Sequence, residues 1–477
     1  MKLKQDLAGI VGIDNVLDDL ETREGYSKDY SFSRASMPSC VVFVKSAEEI
    51  QGVVKYANEH MVPVTPRSSR VSFYGAALPS QGGIVVDLSR MNKILKVDPG
   101  NKFIKIEPGV TWGQIQEELE KQDVMVCNPL LPHSLKSVVT SSMEREPILI
   151  PKNEYNDTFL TAEMVLPNGE MYWTGTAMGK GFTSGNFPDS LYPGARLFIG
   201  VQGTLGIVTW ANIKMEWLPK MEKVLFTPFG RIEDLAEPIY RIQRRMVGRE
   251  CFALNNFNLA AILAEDWPQD FKALRETLPP WTLILALAGL HRLPSEKIEY
   301  EEEAVMEVAS ELHIDVLPTV SNIPGLGKKI SAMLRKSWPK GGYWKFHPKG
   351  SCHEVFFHTT LNRVAEFTEA INGVAAKFGY STNEIGFYLQ PIEYGRACYC
   401  QYGFHCDPND AKDIERVRRL YLEASERAIS MGGLFTTPYG SWADMVYRRT
   451  STFTAVMKVV KNAFDPNNIM NPGKLCL

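Results

Sequence analysis

No apolar run in this 477-residue sequence approaches the ~20 residues that a helix needs to cross a bilayer. The first stretch, MKLKQDLAGIVGIDNVLDDLETREG, has no apolar signal core and turns acidic after Lys4, so the expected location is cytoplasmic. An excess of one charge is also missing. The 52 Lys and Arg against 55 Asp and Glu leave −3, which gives no general attraction to nucleic acid or anionic membrane. Cysteine is sparse. Cys40, Cys127, Cys251, Cys352, Cys398, Cys400, Cys406 and Cys476 are spaced as free thiols rather than as a disulfide framework. GxGxxG after a strand is absent, which removes the support for a Rossmann-type NAD site. Low-complexity segments and long linkers do not occur.

What is present is globular: 44% hydrophobic and 22% charged residues, in a chain longer than one core usually serves. Two or three domains are expected. The stretch from Val62 to Arg90 organises the rest. Val62-Pro63-Val64-Thr65 reads as a strand, Pro66 to Ser72 as a polar loop, and Ile84-Val85-Val86 after Gly82-Gly83 as a second strand. A strand, a small polar loop and a strand can bring backbone N–H groups and hydroxyls against a phosphate, with Arg67 and Arg70 adding charge. Standing alone, the stretch reads more readily as an ordinary connection between strands.

Two later segments change that balance. Ile106-Glu107-Pro108-Gly109-Val110-Thr111-Trp112 opens a helix over Gly113 to Gln122, and Gly203-Thr204-Leu205-Gly206-Ile207-Val208-Thr209 ends a Gly-rich run. In this order, with Pro167-Asn168-Gly169 between them, they resemble the FAD-binding domain of the vanillyl-alcohol oxidase / p-cresol methylhydroxylase family. The ending Asn462 to Lys474, NAFDPNNIMNPGK, is similar to that family's ending. The resemblance runs from about Val41 to Lys474. It implies an α+β protein: a two-part PCMH-type FAD-binding domain over residues 1–219 (core about 36–219), an antiparallel-sheet-plus-helices cap over 220–415, and a segment, 416–477, returning to the first domain.

Local patterns agree. Helices are expected over Leu3 to Leu20, from Ser46-Ala47-Glu48-Glu49 to His60, Ile232 to Met246, Pro294 to His313, Asn362 to Phe378 and Asn409 to Met431. Strands are expected at Cys40–Val44, Phe103–Ile106, Glu222–Phe226, Trp281–Ala288 and Glu354–His358, with a hairpin turning at Asn168-Gly169.

The resemblance also assigns site residues. The FAD pyrophosphate lies along Pro66, Arg67, Ser68, Ser69, Arg70, Val71 and Ser72. Pro132, Ser137, Val138, Ser141 and Ser142 form a second flavin loop, Gly203, Gly206, Ile207 and Val208 border the ring, and Lys474 closes the set. The pair Glu144-Arg145 stands where the family carries Asp-Arg near flavin N5. A partly buried carboxylate has a raised pKa, suited to a base or to tuning the flavin. Tyr74 matches a substrate-binding tyrosine. Near Tyr439-Gly440, Trp442 and Ala443 replace a Tyr-Arg pair, which weakens para-phenol oxidation and favours an aromatic or apolar substrate body held by Tyr439 and Trp442.

The implied activity is FAD-dependent dehydrogenation of an alcohol-type substrate by hydride transfer to flavin N5. A second reading is a D-2-hydroxy-acid dehydrogenase of the lactate/glycolate type, with Arg396 holding the carboxylate. That branch's metal-binding His set is missing. Cys398-x-Cys400 with His405 and Cys406 reads better as structural than as a metal site, so no metal is expected. His347, His353 and His358 do not alternate as one face of a strand. FAD is expected to be non-covalent, with His405 the main exception. A third reading is a non-catalytic flavoprotein subunit. A homodimer and an electron-transfer flavoprotein or iron–sulfur acceptor complete the expectations.

Overall fold

The computed structural model describes residues 2–69, 71–150, 158–178, 194–339 and 341–475; Arg70 and Cys476 lie outside them. The described residues form three sheets. The first orders Val16–Leu17, Cys40–Phe43, Ile84–Asp87 and Val64–Arg67, the last three parallel. Val41, Val42, Ile84, Val85 and Val86 form the buried apolar centre of this sheet, as parallel strands covered on both faces require. The helix Ala47–Glu59 connects two of them. Its first turn is capped by Ser46, which accepts from Glu49 N at 3.3 Å, while the Glu49 carboxylate accepts from Lys45 N at 2.7 Å.

The helix expected over Leu3 to Leu20 stops at Val11. Gly12 turns the chain at φ +88°, a 3-10 turn follows at Ile13–Asn15, and Val16 pairs with Val42 at the edge of the first sheet. Sheet pairing takes the apolar residues that the helical pattern would otherwise have placed on one face.

The second sheet is antiparallel, in the order Ile94–Asp98, Phe103–Ile106, Ile207–Trp217, Phe159–Val165, Met171–Trp173, with Val124–Val126 pairing separately on Ile207–Trp217. The third, also antiparallel, has the order Met221–Phe229, Trp281–Gly289, Glu250–Asn255, Gly386–Ile392, Ala397–Cys406, Ser351–Thr359. Helices Pro294–Leu312, Val364–Lys377 and Ala411–Ser430 cover one face of it. Phe357 meets Phe367 there at 4.7 Å, and the Thr368 and Tyr402 hydroxyls lie 2.8 Å apart. Ala411–Ser430 spans residue 415 and packs on this sheet. The other face looks back toward the first two sheets. No described helix is long and apolar enough to cross a membrane.

The last residues lock the first two sheets together. Val64 N donates to Ile469 O and Asn471 N to Val64 O, both at 2.7 Å. Buried Lys461 donates to Thr204 O at 2.9 Å, to Met470 O at 2.7 Å and to the Asp465 carboxylate at 2.5 Å.

Candidate functional site

Strand Val64–Arg67 and its parallel neighbour Ile84–Asp87 end at the same edge, where a ligand crevice opens in sheets of this kind. A cleft begins there. Pro66, Arg67, Ser68, Ser69, Val71 and Ser72 line one side, and Gly203, Gly206, Ile207 and Val208 the other. A Cβ at Gly203 would stand 2.4 Å from Pro66 Cγ, and one at Gly206 would stand 2.8 Å from Val165 O. Glycine at both positions therefore keeps the walls close to the crevice. The Ser68 and Thr140 hydroxyls bridge the two loops at 2.5 Å. Arg67 braces its own loop, donating from Nε to Ser69 O at 3.2 Å and stacking over Tyr26 at 4.8 Å.

Gln202 also lines the cleft, and its side-chain Nε2 and Oε1 are buried without a hydrogen-bond partner among the described residues. A buried primary amide left unpaired is costly, and a polar ring edge in the cleft would satisfy both atoms. Leu88, Val139, Phe198 and Ile207 supply an apolar floor. These features fit a flavin with its pyrophosphate on the first loop.

The second loop differs in rotation from the expectation. Residues Val138–Met143 form a short helix capped by Ser137, which accepts from Thr140 N at 3.1 Å and donates to Pro108 O at 2.6 Å. Val139, Thr140, Met143 and Glu144 face the cleft, at helical i, i+1, i+4 and i+5 spacing. Ser137, Val138, Ser141 and Ser142 are buried behind them, Ser141 accepting from Trp112 Nε1 at 2.9 Å. Pro132 lines a different cavity. Lys474 braces rather than lines the cleft, its buried Nζ donating to Gly75 O at 2.8 Å.

Lys136 is not among the residues expected from the sequence. Only 2% exposed, its Nζ lies 2.7 Å from Glu144 Oε2 and contacts Glu146 Oε1 as well. Arg145, at φ +58°, turns the chain so that the carboxylates on either side of it reach one ammonium. Burial alone would push Lys136 down, but the charges of Glu144 and Glu146 outweigh it and hold the ammonium above its usual value. Burial raises Glu144; Lys136 pulls against it and Glu146 adds to it. The available signal was a lone lysine within ten residues of two carboxylates in a stretch otherwise rich in hydroxyls.

Glu144 faces the first cleft, whereas Lys136 and Glu146 face a second cavity against the open face of the cap sheet. Phe73 and Tyr74 line it from below, Tyr343, Trp344 and Lys345 from one side, and Tyr388, Tyr399 and Gln401 from the cap strands. Lys345 pairs with Glu354 at 2.5 Å, and Gln401 donates to the same carboxylate. Trp344 Nε1 is buried without an acceptor among the described residues.

Tyr439 lines the first cleft, and Tyr74 lies 5.2 Å from Phe356 at the cavity wall. Trp442 lines neither space. It is 1% exposed and packs behind Phe356 at 4.9 Å, its Nε1 donating to Ser425 Oγ at 2.8 Å. Arg396 is not at the site. It sits in the turn joining Gly386–Ile392 to Ala397–Cys406, 82% exposed and paired with Glu393 at 2.9 Å. Positive φ at Glu393, Tyr394 and Gly395 makes that stretch a hairpin turn, and the turn carries Arg396 away from the cap face.

Of the histidines, His353 stacks on Phe32 at 3.6 Å, His347 contacts Gly342 O at 2.8 Å, and His405 is buried beside Phe257 at 4.9 Å. None of them lines either space. The Cys398 and Cys400 sulfurs lie 3.9 Å apart, and His405 projects from the opposite face of their strand. Among the described residues no group of three His, Cys, Asp or Glu is arranged to hold a metal.

Residues 38–175 match a family described as FAD binding domain, and residues 219–475 one described as FAD linked oxidases, C-terminal domain. The glycolate oxidase subunit GlcD of Bacillus subtilis is 26% identical over 497 residues, covering 99% of this chain and 96% of that protein. The D-lactate dehydrogenase of Anaerostipes hadrus is 27% identical over 453 residues, covering 92% and 90%. The solved structure of p-cresol methylhydroxylase with substrate bound superposes with a TM-score of 0.84 at 21% identity, over 99% of this chain and 96% of that one, a likeness of fold.

Proposed function

The chain belongs to the FAD-linked oxidases, with a PCMH-type fold and FAD as its cofactor, and from that premise we propose that it is a dehydrogenase of a small aromatic or apolar alcohol. The observation that carries this reading is the lining of the second cavity, where Phe73, Tyr74, Tyr343, Trp344, Tyr388 and Tyr399 surround the space. Such walls favour an apolar or aromatic body by burial and by ring contacts. The unpaired Trp344 N–H offers a donor to one substrate oxygen. Both cavity lysines already engage carboxylates, which leaves little attraction for an acid substrate.

Bound flavin supplies the hydride acceptor. The protein's part is to orient the carbinol carbon, exclude water and take up the hydroxyl proton, for which Glu144, raised by burial, is the final acceptor. Tyr74 and Tyr439 position substrate and ring. Non-covalent FAD is part of the proposal. Transfer of electrons to a separate protein acceptor, and assembly as a homodimer, complete the proposal.

Anaerobic addition of benzyl alcohol or of D-lactate to the yellow holoprotein tests it. Bleaching near 450 nm (about that wavelength for flavins generally) by the alcohol supports the reading, and bleaching by the acid alone replaces it. The hydroxy-acid reading has its own support, because the glycolate oxidase subunit and the D-lactate dehydrogenase match nearly the whole chain. No bleaching by either would favour a non-catalytic flavoprotein.

A further inference from the structure

We propose that Glu146, Lys136 and Glu144 act as one proton-accepting unit joining the substrate cavity to the flavin cleft, with Lys136 the positioning residue that keeps a carboxylate ionised and ready. The chemistry rests on the alcohol reading above.

Three observations lead here. The unit spans both spaces: Lys136 and Glu146 line the cavity and Glu144 lines the cleft. Its members touch, with Lys136 Nζ 2.7 Å from Glu144 and in contact with Glu146. It is also expensive to build. Three charges are withdrawn from water, and a non-glycine residue, Arg145, is held in the left-handed region to bring them together. An apolar trio would close the same loop without that cost, so packing alone does not account for it.

The step balances as follows. The alcohol loses its carbinol C–H and its O–H bonds and gains C=O. The C–H hydrogen leaves with its electron pair for the flavin, and the O–H proton goes to Glu146. Glu146 then gives a proton to Lys136 as Lys136 gives one to Glu144. The ammonium stays charged, and Glu144 ends as the neutral acid beside the cleft. Two carboxylates around one ammonium carry one excess negative charge, so a single added proton leaves the buried unit neutral.

Other charged groups face the unit. Asp29 accepts from Ser72 Oγ at 3.0 Å and from Gly75 N at 2.9 Å. Glu354 is held by Lys345. Burial pushes His133 and His358 down, and pushes Tyr74, Tyr343, Tyr399 and Tyr439 up. Between about pH 7.5 and about pH 9 none of these histidines or tyrosines exchanges a proton, and Lys474, which burial pushes down to about 8, is common to every variant compared.

The test needs no substrate. The flavin midpoint potential of the holoprotein is measured across that pH range. Electrons loaded beside Glu144 raise its proton affinity, so the wild-type potential falls about twice as steeply with pH as in Glu144→Gln, one proton more per electron pair. Lys136→Met leaves two buried carboxylates that already share a proton before reduction, and it shows the same shallow slope. Lys136→Arg keeps the charge and the wild-type slope. If the Lys136 variants do not hold flavin, the isosteric Glu144→Gln and Glu146→Gln decide, both shallow if the unit acts as one. Slopes equal to wild type in the neutralising variants overturn the proposal. Such a failure leaves the alcohol reading standing, because the bleaching titration tests that separately.

Discussion

The Asn471 side-chain amide donates to the Gln202 carbonyl at 2.6 Å and to the Ala76 carbonyl at 3.0 Å, so one residue ties both walls of the first cleft. Its backbone N–H also bonds Val64 O at 2.7 Å, beside the first loop. Asn471→Ala leaves two carbonyls short of a donor, at about 1–3 kcal/mol each where buried. The expected outcome is a lower melting temperature and faster FAD release, read by thermal unfolding and by flavin fluorescence. Asn471→Gly tolerates the φ of +41° and shows the same loss, which assigns it to the side chain.

Gly203 offers no room for a methyl group. A Cβ there meets Pro66 at 2.4 Å, at a φ of +71°. Gly203→Ala displaces the first loop and is expected to weaken FAD binding at least tenfold, a cost of about 1.4 kcal/mol. Equilibrium dialysis of the apoprotein against FAD measures it.

Acid should destabilise the protein through its cap histidines. Burial pushes His353 and His358 down to about 4, and His405 to about 3. These folded-state values lie below the unfolded value of about 6.5. From pH 6.5 downward the unfolded chain therefore binds protons that the folded chain refuses, and stability falls as pH falls through that window. His353→Phe keeps the stack on Phe32 and removes one of these protons, so its melting temperature declines less between about pH 6.5 and about pH 4.

What sequence reasoning could reach follows from how local each signal is. The first loop, Gly203, Gly206 and the Asn471 ending announce themselves because each needs a particular backbone shape or small residue. The capping pair Ser46 and Glu49 is equally local. Ser137 to Ser142 misled because hydroxyl content does not give rotation about a helix axis; capping by Ser137 turns Thr140 and Glu144 outward and the serines inward. Arg396 misled because its position depends on where a hairpin turns, which strand pairing between Gly386–Ile392 and Ala397–Cys406 sets. Lys136 was hidden since its partners become neighbours only after Arg145 reverses the chain.

Arg396→Ala serves as the control for that correction. The side chain is 82% exposed and bonds only Glu393 among its described partners, so neither flavin reduction nor thermal stability should change measurably. A rise in the substrate concentration needed for half-maximal bleaching would return Arg396 to the site.

The most direct measurement is anaerobic rapid mixing of the holoprotein with benzyl alcohol, unlabelled and deuterated at the carbinol carbon. The account predicts one bleaching phase that slows several-fold on deuteration, because breaking the C–H bond limits it. No bleaching with the alcohol, or bleaching indifferent to deuterium while D-lactate reduces the flavin, would contradict it.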